Sequence, residues 1–311
     1  MAEAKATRVA IGPREDSWAM NAVRAGGGVV TAVSEDPPAL VWTDFSTRTV
    51  DQLKNLLDTH PSIEWVQLPL AGIERFVESG IVDAKRTWTS AKGLYAEPVA
   101  EHALALALAC LRDLPERARA TSWGRPAATS LYDEKVTILG AGGISVSLIG
   151  LLQPFRAEIT VVRQHPEPVE GAHRTVGVDR LHEALSSALV VVLALAVTAE
   201  TKGLIGEEAL RTMRGDAVLV NIARGPIVDT DALVAALEGK QIAWAALDVT
   251  DPEPLPDGHP LWGLSNCLIT PHTADTVEMN APLLSARITA NVRRFGQGEA
   301  LEGLVDPALG Y

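Results

Sequence analysis

Between residues 135 and 270 six short apolar runs recur, rich in β-branched residues: 135–139, 158–162, 189–193, 217–221, 243–247 and 267–270. Helical periodicity intervenes at 144–153, 179–186, 206–213 and 229–238. Runs that are apolar on both faces, with helices between them, describe strands of a parallel sheet covered on each side. Parallel neighbours need long crossovers, and the crossing helices bury both faces. The expected fold class is α/β, with a doubly wound domain over this stretch.

The first third repeats the theme on a smaller scale. Strand-like runs stand at 8–12, 39–42 and 63–68, with a helical stretch at 49–59. A long helical pattern then runs from about 99 to 120, rich in Ala and Leu up to Leu111, and 122–130 reads as a loop. At roughly 100–200 residues per domain, 311 residues fit two domains.

Composition excludes several function classes. Lys and Arg total 27 against 39 Asp and Glu, a net charge of −12, which argues against a phosphate-backbone binder. Two cysteines, Cys110 and Cys267, cannot build a disulfide framework or a cysteine zinc site, and they suit a reducing cytosol. The remaining histidines show no metal-ligand spacing, so no metal is expected. Residues 1–13 lack a long apolar core, so no secretion signal is expected. The longest apolar runs, 103–111 and 188–197, are too short to span a bilayer. The expectation is a cytoplasmic protein with no membrane and no nucleic-acid partner.

Chemistry concentrates just past the strands. The segment Leu139-Gly-Ala-Gly-Gly-Ile144 places Gly140 and Gly142 between a strand and a helix. The first glycine permits the tight turn, the second admits a pyrophosphate, and the helix start offers unpaired N–H groups. Ser145 stands where the third Gly or Ala of such a turn is usual. At the end of the next strand an acidic residue would hold a ribose hydroxyl; here that place falls to Arg163. A guanidinium suits a 2′-phosphate instead, so NADP is expected in preference to NAD, the plain alternative being a solvated surface arginine.

Three later strands end in Asn221-Ile-Ala-Arg-Gly225, Leu247-Asp-Val-Thr-Asp-Pro-Glu253 and Thr270-Pro-His272. Arg224 can pair with a substrate carboxylate and polarise its neighbouring carbonyl. His272 can give or take a hydroxyl proton, and Glu253 can favour its imidazolium. Taken singly, Arg224 could be a turn residue, Glu253 a solvated carboxylate and His272 a capping residue. Their shared placement at strand ends argues for a hydride-transfer site.

These segments, with Val99-Ala-Glu-His102, Thr198-Ala-Glu-Thr-Lys-Gly203 and Val66-Gln-Leu-Pro-Leu-Ala-Gly-Ile73, resemble the D-isomer-specific 2-hydroxyacid dehydrogenase family. That family includes glycerate, glyoxylate/hydroxypyruvate, formate and phosphoglycerate dehydrogenases. The resemblance implies a Rossmann-type cofactor domain over 98–281. It also implies a smaller flavodoxin-like substrate domain from 1–97 and 282–311. It implies Arg224, Glu253 and His272 as the catalytic set, with Ala71, Gly72 and Arg224 binding substrate. Gly140, Gly142, Gly143, Ile144, Arg163, Ala196, Thr201, Ile222, Ala223 and Asp248 would contact NADP or NAD, Asp248 through the nicotinamide carboxamide. The substrate would be a small 2-oxo or 2-hydroxy acid and the assembly a homodimer. Ser145, Arg163, Ala196 (where Pro is usual) and Thr273-Ala-Asp275 depart from the family pattern. An NAD(H)-binding regulatory protein on the same scaffold is the alternative reading.

Overall fold

The computed structural model describes residues 6–46 and 48–307. They divide into two compact units: the chain up to Tyr95 with that from Thr276 onward, and Ala96–Asp275.

In the first unit, β1 (Arg8–Gly12) leads through α1 (Ser17–Ala25) to β2 (Val29–Val30) and β3 (Ala39–Trp42). Then follow α2 (Val50–Thr59), β4 (Trp65–Gln67), α3 (Glu74–Glu78) and β5 (Thr87–Thr89). The strands are parallel in the order β2-β1-β3-β4-β5, a flavodoxin-like arrangement. β3 is buried at all its positions, as a central strand covered on both faces must be. Val50, Leu53 and Leu57 recur at helical spacing and give α2 its buried stripe. Trp42, Trp65 and Trp88 are fully buried in this unit.

The second unit opens with α4 (Ala96–Leu111) and α5 (Leu114–Arg119). The single helix expected over 99–120 is therefore two. Asp113 takes a left-handed φ of 56° and Pro115 occupies the first turn of α5, where a missing N–H does no harm but a continuing helix is impossible. Next come β6 (Lys135–Leu139), α6 (Gly143–Leu152), β7 (Glu158–Val162), β8 (Arg174–Val176), α7 (Leu181–Ser187) and β9 (Val190–Leu193). The unit ends with α8 (Glu207–Thr212), β10 (Val218–Asn221), α9 (Thr230–Glu238), β11 (Trp244–Leu247), α10 (Pro260–Gly263) and β12 (Cys267–Ile269). The sheet is parallel throughout, in the order β12-β11-β10-β9-β6-β7-β8. Strand order reverses at β6, so the crevice past β6 and β9 is the switch point where such sheets bind ligands.

Register aligns the strand ends. Ile269, Leu247, Asn221, Leu193, Leu139, Val162 and Val176 stand in one row across the sheet. Gly140, Arg163, Ala194, Ile222, Asp248 and Thr270 all leave the sheet at that one edge.

The chain then returns to the first unit as α11 (Val277–Gln297). Leu284, Ile288 and Val292 are its buried face, and α1 packs against it. Contact is close at Gly26, where a Cβ would lie 2.6 Å from the Thr289 carbonyl oxygen. Inside this unit Asn291 donates to Oε1 of the buried Gln67 at 3.1 Å. Among the described residues no helix is long and apolar enough to cross a membrane.

Candidate active site

The glycine turn sits at the switch point and cannot be built from other residues. Gly140 has φ +105°, and a Cβ there would meet the Ala194 carbonyl oxygen at 2.1 Å. The backbone after β6 thus lies directly against the backbone after β9. Gly142 faces open space and begins α6 without a side-chain cap, whereas Asp229 caps α9 through the Ala232 N–H. The first N–H groups of α6, those of Gly143 and Ile144, have no intrahelical acceptor and carry the positive end of the helix dipole. A cradle that a Cβ would fill, next to an uncapped helix start, fits a dinucleotide pyrophosphate. Ser145 lies one turn in, fully buried, its hydroxyl without a hydrogen-bond partner among the described residues.

Around this turn stand the other residues expected to meet a cofactor. Arg163 follows β7, half-buried, its guanidinium 3.6 Å from the Glu167 carboxylate. Ala196 is exposed; its carbonyl accepts from the Thr201 hydroxyl at 2.8 Å, and that oxygen accepts from the Thr198 N–H at 2.7 Å. Thr201 therefore shapes the loop after β9 from within. Ile222 and Ala223 are buried beneath the turn after β10.

That turn is fixed by Asn221, which strand spacing marks only as the end of a run. Its amide donates to the Arg224 carbonyl at 3.0 Å and its oxygen accepts from the Ala223 N–H at 3.0 Å. Gly225 must be glycine, since a Cβ would fall 1.9 Å from the Thr250 carbonyl oxygen. The two constraints set Arg224 at the mouth of the turn, half-buried, with one guanidinium nitrogen on the Ala223 carbonyl at 2.8 Å.

Glu253 and His272 approach each other from the loops after β11 and β12. Glu253 Oε1 lies 2.7 Å from His272 Nδ1, and both side chains reach solvent. The hydrogen bond to Glu253 holds the imidazole pKa above its ordinary value, against burial and the Arg224 charge, which push it down. The same bond holds Glu253 below the usual carboxylate range, with smaller help from Arg224. Arg224, Glu253 and His272 are thus brought into one electrostatic group. With Nδ1 committed to Glu253, Nε2 is the nitrogen left to exchange a proton.

Asp248 follows β11 directly. It is buried, and Oδ1 accepts from the Thr270 hydroxyl at 2.5 Å and the Thr273 N–H at 2.9 Å. Oδ2 accepts from the Ala274 N–H at 3.0 Å. Burial alone would raise its pKa, but these bonds and His102 hold it below the ordinary range. These bonds tie Asp248 to the turn carrying His272. Ala71 and Gly72 belong to the first unit, in the loop between β4 and α3, where Ala71 is exposed and Gly72 half-buried.

Residues 104–274 match the NAD-binding domain of the D-isomer-specific 2-hydroxyacid dehydrogenases. An uncharacterized protein in the proB 3′ region of Corynebacterium melassecola is 44% identical over 260 residues, 82% of this chain and 86% of that one. A glyoxylate reductase of Thermofilum pendens is 35% identical over 71% of this chain and 67% of its own length. Among solved structures, a D-isomer-specific 2-hydroxyacid dehydrogenase of Xanthobacter autotrophicus, in complex with NADPH and MES, superposes with a TM-score of 0.82. It is 26% identical and covers 99% of this chain and 100% of its own.

Proposed function

The chain belongs to the D-isomer-specific 2-hydroxyacid dehydrogenase family, and on that premise we propose that it reduces a small 2-oxo acid to the D-2-hydroxy acid. The 2.7 Å Glu253–His272 pair, at the same sheet edge as the glycine turn, carries this reading. A nicotinamide cofactor bound at that turn supplies the hydride to the carbonyl carbon. Gly140 and Gly142 admit its pyrophosphate, and the N–H groups of Gly143 and Ile144 bind it. Arg224 pairs with the substrate carboxylate and draws electron density from the adjacent carbonyl. His272, kept protonated by Glu253, gives its Nε2 proton to the carbonyl oxygen. In the reverse direction the neutral imidazole takes that proton back.

Arg163 supports NADPH over NADH, because a guanidinium grips a 2′-phosphate and repels no part of it. The first unit is then the substrate domain and the second the cofactor domain. A homodimer is part of the reading, supported by Trp123, 95% exposed, and the exposed Leu114 on the segment around α5. The cytoplasm is the compartment that suits the two buried free thiols.

The test is a panel of glyoxylate, hydroxypyruvate, pyruvate and longer branched 2-oxo acids, assayed with NADPH and NADH by loss of absorbance. At least one acid should turn over, faster at low NADPH than at equal NADH. His272→Ala should lose roughly 10²–10⁴-fold in kcat, the range of general acid catalysis. Silence of the unsubstituted protein across the panel, or full turnover by the variant, overturns the proposal.

A further inference from the structure

His272 has a left-handed backbone, φ +51°, a conformation uncommon outside glycine that its hydrogen bonds hold in place. The support is local and polar. The Asp248 carbonyl accepts the His272 N–H at 2.8 Å, and the Asp248 carboxylate takes the next two N–H groups, those of Thr273 and Ala274. Three successive amides are thereby tied to one buried residue at the end of β11.

That residue is itself held. The Thr270 hydroxyl has one proton and gives it to Asp248 Oδ1, so its oxygen is left as an acceptor. His102 Nε2 stands 3.1 Å from that oxygen and 3.4 Å from Asp248 Oδ1. Nε2 must therefore carry a proton, and the ring closes a triangle with hydroxyl and carboxylate. His102 projects from α4, whose neighbours Ala100 and Ala103 are fully buried, so the triangle is fastened to a fixed helix.

We propose that His102 and Thr270 are positioning residues for the reaction assigned above: acting through Asp248, they fix the turn that aims His272 at Glu253. The proposal rests on the assigned role of His272, yet the alignment itself is measurable without substrate. Loosening the triangle leaves Asp248 to solvent, frees the Thr273 and Ala274 amides, and lets the His272 ring swing from Glu253. Loss of that bond removes the main influence keeping the imidazole protonated above its ordinary value; Arg224, which opposes it, and Asp248 are the other charges facing the ring.

The experiment compares His102→Ala, His102→Gln, Thr270→Val and Thr270→Ser, without added ligand, by NMR. His272 is titrated through its ring resonances and the 272–274 amides are followed by hydrogen exchange. In His102→Ala and Thr270→Val the His272 pKa should fall towards the ordinary imidazole value, and exchange at 273 and 274 should rise at least about tenfold. Thr270→Ser, which keeps the hydroxyl, and His102→Gln, which keeps an N–H donor, should restore both in whole or part. Where the panel has found a substrate, the two disruptive variants should lower kcat with the cofactor KM unchanged. Unchanged titration and exchange in both disruptive variants overturn the proposal. The expected NMR changes in a protein that reduces no 2-oxo acid would uphold the positioning role while removing the assigned reaction.

Discussion

At the scale of single residues, the proposed chemistry rests on a pair whose members shift each other in opposite directions. His272 is raised and Glu253 lowered, so the charged pair persists between the two values. The contribution of Glu253 is present above the ordinary carboxylate range and is lost as pH falls through its depressed value. That of His272 is present below the ordinary imidazole value and is lost as pH rises through its elevated one. In Glu253→Gln the alkaline limb of the pH profile for 2-oxo acid reduction should move to lower pH, since the protonated imidazole loses its main support. A limb left in place by this substitution would separate Glu253 from the proton transfer. The three side chains proposed as reactive stand out in the sequence because each follows a strand at a recognisable interval. Asn221, Thr270 and His102 do not, although they stand in the same motifs. Bracing depends on which polar groups, backbone or side chain, a residue reaches across the fold, and no spacing along a chain reveals that.

At the scale of elements, the strand–turn–helix of β6 and α6 joins a strict requirement to a tolerated flaw. Gly140 is dictated by the 2.1 Å approach of the Ala194 carbonyl oxygen. Ser145, where a smaller residue is usual, keeps the helix close at the cost of a buried hydroxyl without a partner among the described residues. Ser145→Ala removes that hydroxyl and improves helix propensity, so it should stabilise the second unit by roughly 1 kcal/mol. A denaturation midpoint that falls in this variant would mean that the hydroxyl has a partner after all. The same balance of local and tertiary forces explains what the sequence hid at this scale. Most strands were readable as apolar runs, even the three-residue β4 and β12, whereas β2, β5 and β8 each begin on an exposed residue and carry too little apolar pattern to stand out. The break between α4 and α5 was marked by Pro115, but the Ala- and Leu-rich run before it suggested one helix.

At the scale of the whole molecule, each unit has its own core, and the second is a single uninterrupted stretch. Residues 96–275 expressed alone should therefore unfold cooperatively and be stabilised by NADPH, with no turnover of any 2-oxo acid. A fragment without a cooperative transition would show that the unit depends on the rest of the chain. The first unit has no such independence along the chain, because α11 supplies the face against α1 and a second donor to Gln67 Oε1, which also accepts from the Thr89 hydroxyl. Those two partners, Gln67 and Asn291, are separated by 224 positions. At synthesis rates of about 5–20 residues per second, that separation is roughly 10–45 s on the ribosome. The unit whose strands emerge first is the last to be completed, and the apolar face of α1 that α11 covers stays open while an entire second domain is made.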